Sequence, residues 1–163
     1  GGELIDQGSH LIDLSRLFLG EFVSVKSSLR KYFWKSDGKV DDNAFLILST
    51  KKNKIAFLHC SCTEWKNKFS FEIFGEKGKI EINGLGKSYG TENLTLYKMR
   101  KRMGIPTIKN WKFSNKKDMS WKSEINDFFL KIIQDKPIES SIINASRNLK
   151  IIDKCYKTSV LGI

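Results

Sequence analysis

No apolar run in this sequence approaches the ~20 residues that a membrane-spanning helix needs. The opening GGELIDQGSH has neither a basic n-region nor the apolar h-region of a secretory signal. No membrane partner is therefore expected. An initiator Met is missing too, and helical patterning begins almost at once, so the N-terminus reads as a cut end. Cysteine is sparse. Cys60, Cys62 and Cys155 form an odd set with no CxxC pair and no matching histidine spacing. This argues against a disulfide framework or a zinc site, and for a reduced, cytoplasmic setting. Cys60 and Cys62 fall on one face of an expected strand, where free thiols serve as small buried hydrophobes. Internal repeats and low-complexity tracts are absent. So are RNP, helix-turn-helix and zinc-finger patterns, which matters because the chain is basic.

That basicity is a formal +11, most of it lysine, in KKNK at 51–54, KNK at 66–68, KMRKR at 98–102 and NKK at 115–117. Such a balance suits a nucleic acid, an anionic surface or a phosphorylated substrate. Scattered lysines without a recognition motif read instead as a solvated surface, and no nucleic-acid partner is expected. A true binder would associate with unrelated DNA or RNA tightly and with steep salt dependence. The 163 residues favour one domain, and the 40% hydrophobic and 29% charged fractions belong to an ordinary globular chain able to bury a core.

Residues 3–19 pattern as a helix closed by Gly20 at C′. Leu4, Leu11, Leu14 and Phe18 share one side and Ile5 and Ile12 another, so this helix is expected to be largely buried. Strand texture follows over 22–34, 44–50, 55–63, 69–74, 79–82 and 94–99. Lys51-Lys52-Asn53-Lys54 and Gly75-Glu76-Lys77-Gly78 read as hairpin tips, which makes antiparallel pairing the expectation. Residues 101–118, with Gly104 and Pro106, read as a loop. Two helices close the chain. Ser120 can cap the first, whose apolar stripe is Trp121, Ile125, Phe128, Phe129, Ile132 and Ile133, and Lys136-Pro137 ends it. The second runs from 142 to 161, with Leu149, Ile152, Tyr156 and Val160 on its period. A helix, a run of strands and two helices make the α+β pattern, with helices on one face of an antiparallel sheet.

The informative stretch is the first. At about 100° per residue, Asp6, His10, Asp13 and Leu17 fall within about 60° of one another on the helix. One stripe of an otherwise apolar helix thus carries two carboxylates and an imidazole, and unpaired charge is expensive to bury. Two readings stay open. A histidine beside a carboxylate is tunable across neutral pH and can exchange a proton with a substrate hydroxyl as hydride leaves the carbon. Equally, an Asp–His pair can merely fix the helix end, where a carboxylate near the N-terminus is favourable by the dipole alone. Metal binding is a poor third, since no other ligand cluster accompanies the stripe.

The run Gly1-Gly2-Glu3-Leu4-Ile5-Asp6-Gln7-Gly8-Ser9-His10-Leu11-Ile12-Asp13 resembles the glycine-rich D-x-x-x-H motif of the glucose–fructose oxidoreductase / inositol dehydrogenase / rhizopine catabolism (Gfo/Idh/MocA) family. Asp41-Asp42-Asn43-Ala44-Phe45, Glu64-Trp65-Lys66-Asn67 and the strand–turn–strand block from Phe71 to Gly78 extend the resemblance, and the paired C-terminal helices fit it. It covers nearly the whole chain, residues 1–163, as a substrate-binding and oligomerisation domain. The resemblance implies a C-terminal domain with a large, mostly antiparallel open sheet, helices packed on one face, and a homo-oligomer formed through the free face. It implies that His10 is the acid/base residue or its close assistant, and that Asp6 orients it and contacts substrate hydroxyls. The N-terminal Rossmann domain, with its G-x-G-x-x-G loop and a catalytic lysine, is absent from the sequence, and Gly84-Leu85-Gly86 is not followed by a capped helix. The parent protein would then be an NAD- or NADP-dependent oxidoreductase acting on a secondary hydroxyl of a sugar, cyclitol or nucleotide-sugar. This piece alone would hold no cofactor and be inactive.

Other candidates stand beside that pair. Asp13 shares the stripe. Trp65 could stack on a sugar face, and Lys66 could meet a substrate phosphate. Tyr89 lies in a glycine-rich turn. Arg16 is a further phosphate candidate, although a solvated surface is the plainer reading for it. His59 alternates onto the face of Phe57 and Ser61, where a structural role is expected. The alternative for the whole chain is a non-catalytic dimerisation or sugar-binding domain.

Overall fold

In the computed structural model the chain divides into two units: Gly1–Trp65 with Asp135–Ile163, and Lys66–Gln134. The structure describes residues 1–35, 38, 40–86, 88–102, 104–113, 118–137 and 142–159. The expected extension of the last helix through Val160 to Leu161 lies outside these. The α+β class and the antiparallel pairing are as expected, and the strands form two sheets, of three and four strands.

The first unit opens with a π-helical turn, Leu4–Gly8, that continues as α1, Ser9–Leu19. Gly20 closes it at φ 89° and ψ −166°, a backbone conformation that favours glycine, and its N–H donates to Arg16 O. Strands β1 (Phe22–Arg30), β2 (Asn43–Thr50) and β3 (Ile55–Ser61) follow in the order β1-β2-β3. Asn53, at φ 59°, turns the β2–β3 hairpin, and its N–H donates to Thr50 O. Alternation sets the faces. Leu29, Ala44, Leu46, Leu48, Ala56, Leu58 and Cys60 point inward and are buried. Against them pack Leu4 and Ile12 from the first helical segment, and Ile151, Ile152 and Cys155 from the last helix. That last helix (Ile142–Thr158) lies against β1, and Ser159 Oγ accepts the edge-strand amide of Leu29 at 2.8 Å. Its buried face is Asn148, Ile151, Ile152 and Cys155, while Leu149, expected inside, is exposed. Cys62 is exposed as well, because β3 stops at Ser61 and alternation no longer governs it.

The second unit is a meander in the order β4-β5-β6-β7: β4 (Ser70–Gly75), β5 (Gly78–Asn83), β6 (Glu92–Lys98) and β7 (Thr107–Phe113). Gly78 is obligatory at the tip, since a Cβ there would lie 2.1 Å from Tyr97 O. Strand β7 corrects the expected loop over 101–118. Its lysines and Asn110 hid the alternation, yet it pairs with β6 from Glu92↔Phe113 to Lys98↔Thr107, and every residue in it is exposed. Charged, exposed residues are the usual dress of an edge strand. Helix α2 spans Ser120–Ile133, and Ser120 is its first residue rather than its cap. The Asp118 carboxylate accepts the Ser120 N–H at 2.9 Å instead. We number the final helix α3. Among the described residues, no helix is long and apolar enough to cross a membrane.

Candidate active site

The helical opening is held from three directions. Its N–H groups need acceptors, and Asp41, 3% exposed, supplies two. The Asp41 carboxylate accepts Leu4 N–H at 2.8 Å, and its carbonyl accepts Glu3 N–H at 3.0 Å. The other carboxylate oxygen accepts the Tyr156 hydroxyl of α3 at 2.7 Å. Burial, then that bond to a carboxylate, pushes the Tyr156 phenol far up, so it stays a donor. The glycines of the opening have physical reasons. A Cβ on Gly2 would sit 1.9 Å from Asp41 Oδ1, and one on Gly8 would crowd Leu4 Cδ1 and Cys60 Sγ at 2.9 and 3.0 Å. Burial is also the main cause that pushes the Cys60 thiol up to about 12, so it serves as packing and not as a nucleophile.

Lower on the helix, Arg16 overturns both of its sequence readings. It is buried, 8% exposed, and clamps α1 to α3. Its guanidinium donates to Glu21 at 2.6 and 3.3 Å, to Asn148 Oδ1 at 2.8 Å and to Asn144 O at 3.2 Å. The Arg16 hydrogen bond holds the Glu21 carboxyl below its usual range. Asp13 belongs to the same network: its Oδ1 accepts Asn148 Nδ2–H at 2.8 Å and lies 3.5 Å from Arg16 Nη1.

Asp6 and His10 are left facing outward, both exposed, one at the π-helical turn and one at the start of α1. The stripe therefore carries no cost of buried charge, contrary to the sequence argument, and Leu17 at its end is 75% exposed. Neither side chain has a hydrogen-bond partner among the described residues. The electrostatic neighbour of Asp6 is Glu3, whose carboxyl is pushed up by burial first and then by the Asp6 and Asp41 charges.

Asp42, the next residue, anchors a second feature at the same end of the sheet. Its carboxylate accepts the amides of Tyr32, Phe33 and Trp34 at 2.7–3.1 Å and Asn43 Nδ2–H at 3.1 Å. Burial pushes this carboxyl up, but the four donors outweigh it and hold it down at about 2. The loop so held carries Phe33 and Trp34, which meet Trp65 edge-on. Beside Trp65, Glu64 Oε1 lies 3.6 Å from His59 Nδ1. His59 stacks on Phe45 at 4.4 Å and hydrogen-bonds Asn43 Oδ1 through Nε2 at 3.2 Å.

The structure thus brings Asp6 and His10 onto one exposed stripe, ties Asp13 into the Arg16 network, and sets Trp65 in an aromatic cluster. Lys66, exposed, and Tyr89, half-buried, belong to the second unit. Sequence reading used Asp41 and Asp42 only to extend the resemblance and Tyr156 only for the period of the last helix, and gave none of them an anchoring role. Among the described residues, no group of three or more His, Cys, Asp or Glu could hold a metal ion.

Residues 1–81 match the family model described as the GFO/IDH/MocA C-terminal domain. No curated protein sequence matches the chain. Among solved structures, it is similar to the UDP-N-acetylglucosamine 3-dehydrogenase GnnA from Acidithiobacillus ferrooxidans, with 19% identity and a TM-score of 0.74 over 96% of this chain and 47% of that one. It is similar to a 3-ketoreductase from Actinomadura kijaniata solved with TDP-benzene and NADP, with 18% identity and a TM-score of 0.72 over 99% and 48%. It is also similar to an NAD binding oxidoreductase from Klebsiella pneumoniae, with 14% identity and a TM-score of 0.77 over 97% and 48%. The chain spans about half the length of the solved structures it matches.

Proposed function

The chain belongs to the Gfo/Idh/MocA family through its C-terminal-domain region, and from that premise we propose that it is the substrate side of an NAD(P)-dependent oxidoreductase. The substrate would carry a secondary hydroxyl on a sugar, cyclitol or nucleotide-sugar ring. One observation carries the reading: Asp6 and His10 stand exposed, without a side-chain hydrogen-bond partner among the described residues, on a helix whose Asp13 and Arg16 are tied to Asn148. Two of the solved neighbours, GnnA and the Actinomadura 3-ketoreductase, are named for or were solved with nucleotide-linked groups, which supports a ring of this kind. In this reading the His10 imidazole takes the hydroxyl proton as the C–H bond gives up hydride, and returns it in the reverse direction. The Asp6 carboxylate, one helical turn away, would accept a hydrogen bond from a substrate hydroxyl and so orient the ring toward the imidazole. A nicotinamide cofactor would supply the hydride chemistry. Among the described residues, Gly84-Leu85-Gly86 joins β5 to β6, at φ 76° and 53° for the two glycines, and is followed by a strand rather than by a helix N-terminus that could receive a pyrophosphate. A dinucleotide-binding domain is thus the required partner. The three free thiols suit a cytoplasmic setting.

The test is His10→Ala in the gene product that contains this chain together with a cofactor domain. Turnover should fall by roughly 100-fold with the fold intact by circular dichroism, and unchanged turnover would refute the role. A second reading, assembly through the open sheet, is favoured by the outer face of the first sheet. There Ile47, Ile55 and Phe57 are 42%, 64% and 70% exposed around Phe45. Sedimentation at micromolar concentration should give a dimer or larger species, and a monomer would remove this reading.

A further inference from the structure

Lysines that read as scattered along the sequence are gathered by the strand order of the second unit. From Asn93 to Lys117 the chain has no Asp or Glu and eight Lys or Arg. Antiparallel pairing puts the 75–78 turn and the 99–106 connection at one end of this sheet. Gly78 lies opposite Lys98, and Lys98 opposite Thr107. The Met99 N–H donates to Lys77 O at 3.0 Å, so the two turns are neighbours. This end carries Lys77, Lys98, Arg100, Lys101 and Arg102, all exposed. Among the described residues none of these five is in an ion pair, whereas Lys79 is held by Glu72 and Glu81. Glu76 is the one carboxylate in the two connecting segments.

The same end is apolar as well. Phe74, Met99, Ile105 and Ile108 are 74%, 51%, 77% and 56% exposed. The register sets Phe74, Lys79, Tyr97 and Ile108 in one cross-strand row, so Phe74 and Ile108 share a face. Single exposed apolar residues are ordinary, but four at one sheet end beside five uncompensated cations make a patch. The cations alone would suit any polyanion. Single-stranded nucleic acid also needs rings free to stack on its bases beside the phosphate contacts. Here Lys79 already lies over the Phe74 and Tyr97 rings, at 5.6 and 4.9 Å. Trp111 and Phe113 lie toward the other end of β7, where Phe113 pairs with Glu92. The side chains that stand among the cations are Met99 and Ile105, and neither can stack. Such residues flanked by Lys and Arg match a bilayer interface, where the apolar ones enter the acyl boundary and the cations meet headgroup phosphates.

We propose that this end of the second sheet, with its five unpaired cations set around Met99, Ile105 and Ile108, is a docking surface for an anionic lipid bilayer. No helix among the described residues is long and apolar enough to cross a membrane, and attachment from one side needs none. The expectation of no membrane partner rested on the lack of a spanning segment, which does not bear on a surface contact. The proposal stands apart from the reaction assigned to Asp6 and His10, which lie in the other unit.

The test is co-sedimentation of the gene product that contains this chain with two kinds of vesicle. One is phosphatidylcholine alone, and the other contains about one-third phosphatidylserine. The expected result is binding to the anionic vesicles only, weakening as salt rises. Replacing Arg100, Lys101 and Arg102 together by Gln should weaken binding by about 100-fold, at about fivefold for each charge near the surface. Ile105→Ser should weaken it by about tenfold while leaving its salt dependence unchanged. These positions are exposed turn residues, and circular dichroism checks that the fold survives. Replacing Lys51, Lys52 and Lys54 by Gln removes the same charge from the β2–β3 tip of the first unit and should leave binding unchanged. Failure to bind the anionic vesicles would overturn the proposal. Equal losses in the two triple variants would also overturn it, since net charge would then account for the binding. So would random-sequence RNA that binds more tightly than the vesicles at the same salt and is indifferent to Ile105→Ser, which would make the surface a nucleic-acid one.

Discussion

The two units of the chain spend their apolar residues differently. Every buried hydrophobic side chain of the described core, from Leu4 to Cys155, lies in the first unit. The second unit has a sheet whose aligned residues Phe71, Ile82, Leu94 and Trp111 share one face, yet none of them is buried, and α2 buries no residue at all. The polar residues differ as well. In the first unit they are buried anchors, as in Asp41, Asp42, Arg16 and Asn148. In the second they make a surface ladder in which Lys79 bridges Glu72 and Glu81 at 2.5 and 3.2 Å. The Asp6–His10 stripe lies on the anchored unit, which suits the proton-transfer role proposed for it.

The contrast is sharpest under truncation. Leu46→Ala, in the first core, should cost about 2–5 kcal/mol, whereas Leu96→Ala, at a half-buried sheet position of the second unit, should cost under about 1 kcal/mol. Urea unfolding of the two variants measures both, and equal losses would break the distinction. Acid comes next. Asp42 sits at about 2 in the fold against an ordinary 3.8. A depressed carboxyl contributes stability that is full above its unfolded value and is lost as pH falls through the folded one, here from about 4 down to about 2. The contribution is about 2 kcal/mol, and Asp42→Asn should flatten the stability profile across that window. The smallest effect is expected at Lys79→Ala. Glu72 is exposed and Glu81 partly so, solvent screens both pairs, and the unfolding midpoint should not move measurably.

Much of this was legible in the sequence where the signal was local. Gly20 ended the first helix, the Lys51–Lys54 and Gly75–Gly78 tips made hairpins, and alternation sorted Cys60 from His59. What escaped was non-local or was masked by charge. Arg16 looked like surface because nothing nearby announces Asn148, 132 positions away. The partners of Asp41, Leu4 and Tyr156, lie 37 and 115 positions off, so its anchoring role has no local pattern to betray it. Strand β7 was hidden because an edge strand tolerates the lysines that make a segment read as loop. The spacing put Asp6 and His10 on one helical stripe, but the structure leaves both side chains exposed, so the expected cost of buried charge does not arise.

The π-helical turn over Leu4–Gly8 makes the opening a counted length. A π turn accommodates one residue more than an α-helix would over the same axis. Removing a single residue there would let the segment close as plain α-helix and swing everything before it by about 100°. Gly2 would leave the Asp41 carboxylate, and the amides of Glu3 and Leu4 would turn away from their Asp41 acceptors. Insertions and deletions, more than substitutions, are therefore the changes this segment tolerates least, and a homologous chain one residue shorter here would have to rebuild its anchor.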